Sequence, residues 1–177
     1  MLAGQGRFHA FRCVVLGLIL VACGAKASGA GSLPPLPEPI SAEGRLPRSY
    51  LGWELGQPAP DLPTTSKDSR YPEATVYVEK LAESPRTLRR AYVYEGSIFL
   101  IEWVVQDASL ERERVAAAFA ERLGPASDSK WIPKNLTNWS DGVGKGSTGI
   151  TIHRRPGSEW LRVAVEDVGW TTELFSR

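Results

Sequence analysis

Along residues 88–124 the apolar positions recur first with a period of two and then at helical spacing. Leu88, Arg90, Tyr92 and Tyr94 fall on one side of the chain and Arg89, Ala91 and Val93 on the other, the pattern of a strand with two unlike faces. Glu95-Gly96 predicts a tight reversal, because glycine accepts the positive φ of short hairpin turns. Ser97–Gln106 is almost continuously apolar, as a central strand covered on both faces requires. Glu102 interrupts that run. A carboxylate there needs a charged or hydrogen-bonding partner, or a place near a sheet edge, and an ion pair with an arginine of a neighbouring strand is favoured over a catalytic role.

Beyond the hairpin the period lengthens. Asp107 or Ser109 is positioned to cap a helix, and Glu111 and Glu113 fall in its first turn, where the helix dipole favours negative charge. Val115, Ala116, Phe119, Ala120 and Leu123 make one apolar stripe, and Gly124-Pro125 ends it. Such a helix buries its stripe on the sheet.

Two flanking segments extend the plan. Residues 73–81 (EATVYVEKL) read as an earlier strand, turned into the hairpin by Glu83-Ser84-Pro85. Residues 149–155 and 159–168 read as a second hairpin across Pro156-Gly157-Ser158. There Ile150 and Ile152 share a face, and Leu161, Val163 and Val165 lie opposite Arg162, Ala164 and Glu166. Residues 50–56 are expected to be irregular, with aromatic side chains docked on the core, and the proline-rich stretch 57–72 to be a loop. Residues 126–138 show no clean period, and 170–175 read as a short docked tail. The expected fold is α+β: a two-layer sandwich, β-β-β-α-β-β, with an antiparallel sheet of about five strands and one helix on a face.

The glycines of 141–149 satisfy G-x-G-x-x-G at Gly144, Gly146 and Gly149, but a strand-like run follows where a dinucleotide site needs a helix. Lys145 is followed by glycine, not Ser or Thr, so the P-loop pattern fails as well. A mobile hairpin loop is the expectation. Asn135 and Asn138 fit the N-glycosylation pattern by chance.

Composition changes this picture little. The 177 residues carry a net charge of +1 and offer no electrostatic footprint for nucleic acid. Both cysteines, Cys13 and Cys23, lie at the start of the chain, so the body holds no disulfide, thiolate metal site or cysteine nucleophile. Asp107, Glu102, His153 and Asp141 are the candidate catalytic groups, and no spacing brings them together. No catalytic, cofactor or metal site is expected, and the protein is not expected to be an enzyme.

The N-terminus is more specific. Arg7 and Arg12 precede a short apolar run, Cys13–Ala22, too short for a typical membrane span and laid out as a secretory leader. It ends in Leu20-Val21-Ala22-Cys23-Gly24. This resembles the lipobox of bacterial lipoproteins. The resemblance implies cleavage between Ala22 and Cys23, acyl chains on Cys23, and anchoring in a membrane of the cell envelope. Gly24 in place of aspartate implies the periplasmic face of the outer membrane over the inner membrane. The alternative is an ordinary signal peptide cut a few residues later. Stable anchoring takes two or more acyl chains.

The organisation expected is therefore a signal peptide (1–22), a Pro/Gly/Ala-rich tether (23–47) and one globular domain (48–177). Leu33-Pro34-Pro35-Leu36-Pro37 favours extended polyproline II, which makes the tether a semi-stiff spacer. Expected partners are the membrane, through Cys23, and another envelope protein, with no nucleic acid. Two functions fit: a non-catalytic interaction or structural module, or a carrier or chaperone for a small apolar ligand. An enlarged apolar pocket between helix and sheet would favour the carrier, and a filled core with an exposed aromatic patch the module.

Overall fold

The computed structural model describes residues 32–63, 65–127 and 132–176. The leader and Cys23 lie outside the described residues. A small hairpin, β1 (Ser49–Tyr50) and β2 (Trp53–Glu54), is followed by β3 (Thr65–Ser66) and a three-strand meander of β4 (Thr75–Glu83), β5 (Arg86–Tyr94) and β6 (Ser97–Gln106). Helix α1 (Arg112–Leu123) leads to a second meander, β7 (Leu136–Ser140), β8 (Thr148–Arg154) and β9 (Trp160–Asp167), and α2 (Val168–Phe175) ends the chain. The order β3-β4-β5-β6-β9-β8-β7 makes one antiparallel sheet of seven strands, whose halves join where β6 pairs β9.

The α+β class and the five expected strands are present, but the counts of five strands and one helix are too low. Seven strands form the main sheet, two more form the β1-β2 hairpin, and there are two helices among the described residues.

The Glu95-Gly96 turn forms as its sequence demands, with both residues at positive φ. Register shifts between Tyr92 and Val93, which pair with Leu100 and Ile98, so Phe99 is the extra residue of a bulge. Phe99 and Leu100 then both join the core on the second face, while Ile98 and Ile101 join the first. That bulge is why an unbroken apolar run serves two cores.

The first core lies beneath α1. Val115, Phe119 and Leu123 are buried there against Ile101, Trp103, Ile150, Ile152 and Val163, with Ala116 and Ala120 packed at its margin. Neither Asp107 nor Ser109 caps α1. Its N-cap is Glu111, without a side-chain cap bond. Asp107 Oδ1 instead accepts from Ser109 N and Oγ at 2.8 and 2.7 Å, closing a turn one step earlier. Arg154 donates to the carbonyls of Asp107 and Leu110 and holds that turn against β8.

The β1-β2 hairpin adds Tyr50 and Trp53 to the first core. Arg89 secures it, with its guanidinium 4.2 Å from the Trp53 ring centroid and donating to the Leu51 carbonyl. The described part of the expected tether also contacts the body. Pro34 and Pro37, one polyproline turn apart, are buried, as is Leu46.

The second face is covered at one end only. Tyr71 and Ala74, from the segment before β4, and Leu174 of α2 pack on Tyr92, Phe99 and Leu100, with Trp170 at the margin. The rest of that face carries charge.

Candidate functional site

Strand register alone gathers the charged groups. Glu102 on β6 stands opposite Arg90 on β5 and Ala164 on β9. Two residues before Ala164, Arg162 stands opposite Val104 on one side and His153 of β8 on the other. Residues directly across an antiparallel pair share a face, so Arg90, Glu102, Arg162 and His153 occupy one surface. Arg70 arrives from outside the sheet. Its amide and guanidinium bind Asp68, with Nη2 2.6 Å from Oδ2, and neighbouring Tyr71 seats the segment edge-on against Tyr92 and Phe99.

The carboxyl of Glu102 is fully buried. Arg70 Nη1 and Nη2 reach its Oε1 at 3.2 and 3.1 Å, and Arg162 Nη1 reaches the same oxygen at 3.1 Å. Tyr92 Oη lies 2.9 Å from Oε2 and 2.8 Å from Asp68 Oδ2, and it accepts from Arg70 Nη2. Arg90 Nη1 stands 3.7 Å from Oε2, too far for a hydrogen bond. Burial pushes the Glu102 carboxyl up, against the opposing pull of Arg70, Tyr92 and Arg90. Hydrogen bonding to Arg70 holds Asp68 well below the usual carboxylate range. Burial, then the charge of Glu102, raises the Tyr92 phenol.

Above this cluster opens a cleft of about 380 Å³ lined by Arg70, Arg90, Arg155, Arg162, His153 and Trp160, among others. Its size falls within the range of small-ligand sites. Asn135 Nδ2 lies 2.8 Å from His153 Nε2, a contact in which the amide donates and the neutral ring accepts. Burial, then Arg155, Arg112 and Arg70, push the His153 pKa down and keep it neutral.

Of the four candidate catalytic groups, the fold brings Glu102 and His153 to this region, one as the buried anchor of the guanidinium groups and one as a wall of the cleft. Asp107 serves the turn before α1. Asp141 accepts from Thr148 N and Leu46 N at 2.7 and 2.9 Å. Among the described residues no three of His, Cys, Asp and Glu come together so as to hold a metal ion. Nor is any described helix long and apolar enough to cross a membrane.

The glycine-rich stretch is a hairpin loop between β7 and β8, as expected, but it is clamped to the body. Asp167 Oδ2 accepts from Gly146 N and Arg48 Nη2, Arg48 Nη1 donates to the Gly146 carbonyl, and Lys145 Nζ sits 3.6 Å over the Trp170 ring.

No local pattern in the sequence marks Arg70, Arg90, Arg155 and Arg162 as a group. The one available signal was Glu102 itself, a carboxylate inside an apolar strand. Compared with models of protein families, with curated proteins and with solved structures, the chain matches none.

Proposed function

We propose that this protein is a lipid-anchored lipoprotein of the bacterial cell envelope that acts as a non-catalytic binding module, held through Cys23 on the periplasmic face of the outer membrane. The anchor rests on the lipobox-like Leu20-Val21-Ala22-Cys23 after a basic, then apolar, leader. The binding role rests chiefly on one observation: an open, arginine-lined cleft on the sheet face opposite the core beneath α1. Glu102 is committed to arginines and His153 to Asn135, so neither is arranged as a general base beside a nucleophile. An enlarged apolar pocket between α1 and the sheet would favour the carrier reading. Val115, Phe119 and Leu123 fill that contact.

Metabolic labelling with an alkyne analogue of palmitate tests the anchor. The wild-type chain takes up label and Cys23→Ala does not. A wild-type chain without label, or a variant that keeps it, overturns the assignment. Cross-linking in intact cells then reads the binding role, which fails if the chain forms no adduct with any envelope component.

A further inference from the structure

We propose that the cleft on the second face is a binding site for a compact dianionic oxyanion of the phosphomonoester type. The inference takes the open face as the binding surface and is independent of the lipid anchor. Its first ground is charge. Four guanidinium groups at the cleft face the carboxylates of Glu102 and Asp68, with Glu166, whose carboxyl burial pushes up, farther along the same face of β9, which leaves net positive charge at the cleft. Arg155 forms no ion pair among the described residues, and His153 is held neutral, so neither changes that balance.

The second ground is convergence. Arg70, Arg90 and Arg162 all approach the single carboxyl of Glu102, from a loop and from the strands on either side of β6. Excess charge focused on one point suits one small dianion better than two separated carboxylates. The third ground is unused donors. Arg162 Nε is buried without a hydrogen-bond partner, although its Nη1 is fixed on Glu102. Arg90 is held near Glu102 by charge and not by a hydrogen bond. A guanidinium held beside a carboxylate without a hydrogen bond to it, as Arg90 is, keeps its donors for the fork that matches phosphate oxygens. Trp160 supplies an apolar wall for whatever carries the oxyanion.

Glu102 therefore has a positioning role. Buried among arginines, it holds them close, an arrangement that their mutual repulsion would otherwise oppose. One carboxylate would suffice to neutralise one arginine, and three around it is the arrangement of a receptor.

The test is calorimetric titration of the full-length chain in neutral detergent with inorganic phosphate at pH 7 and low salt, with acetate as the monoanionic comparison. Saturable binding of phosphate, tighter than that of acetate, is expected. Arg155→Gln, which leaves every ion pair of the cluster intact, weakens it about tenfold, the value of one charge-assisted contact. Arg122→Gln, on the far helix, leaves it unchanged. The Arg162 Nε–H resonance in nitrogen-edited NMR shifts on saturation.

Glycerol 3-phosphate and soluble dihexanoyl phosphatidate then separate a free solute from a lipid headgroup, the tighter ligand naming the source. Absence of saturable binding, or equal loss in Arg155→Gln and Arg122→Gln, overturns the oxyanion site. Cross-linking to an envelope protein in the same strain would survive that result, so the two readings fail separately.

Discussion

Arg162 Nη1 donates to Glu102 Oε1 at 3.1 Å, while the Nε of the same guanidinium is buried without a partner. A buried carboxylate thus binds its arginines unequally, and their removal should have unequal effects. Arg70 gives Glu102 two hydrogen bonds and ties it to Asp68 and Tyr92, whereas Arg90 gives none. Arg70→Met leaves Glu102, fully buried, with one hydrogen-bonded arginine, and should cost about 3 kcal/mol, the low end for breaking a buried pair. Arg90→Met should cost under about 1 kcal/mol, because the pair is long and the arginine is partly exposed. Urea unfolding of both variants gives the comparison. Equal losses would mean that the cluster is a diffuse charge cloud and not a hydrogen-bonded mount.

His153 should make stability fall as the solution turns acidic. Its folded-state pKa is lowered by burial and by Arg155, Arg112 and Arg70, and Arg162 of β9 stands directly opposite it. Below the unfolded value of about 6.5 the unfolded chain binds a proton that the folded ring resists, so the native state loses stability as pH falls through that value toward the lower one. Above it the contribution is fully present. The melting temperature of the wild type should drop between pH 7 and pH 5.5, and that of His153→Gln should drop less. The same slope in both would assign the effect to another group.

What the sequence discloses and what it hides divide along one line. Elements whose two faces differ in polarity were legible: β5, β8 and β9 alternate, and α1 carries its stripe, so their faces follow from periodicity. β7 was not, because in Leu136–Ser140 only Trp139 is buried and an edge strand needs no alternation. Helix α2 was hidden by poor helix formers, Gly169, Thr171 and Thr172 among them, and by following β9 without a linker. Its one signal was Asp167, whose side chain accepts from Trp170 N. Glu102 announced that it needed arginines. Which arginines depended on strand register and on a loop 32 residues away, and neither is written in local periodicity.

Gly169 offers a test in which propensity and packing disagree. It lies in the first turn of α2, where alanine would ordinarily favour the helix by about 1 kcal/mol over glycine. A methyl group there would stand 2.2 Å from Lys145 N and 2.5 Å from its Cα, both backbone atoms of the clamped loop. Main chain cannot swing aside as a flexible side-chain end can. Gly169→Ala should therefore force α2 and the loop apart, loosening Lys145 from Trp170 and Gly146 from Asp167. The expected result is a net loss of about 1–3 kcal/mol, the usual cost of overpacking, in place of a gain. Chemical denaturation measures the sign directly. A stabilised Gly169→Ala variant would show that the 141–147 loop is not held against α2 and would return it to the mobile hairpin loop that its glycines suggest.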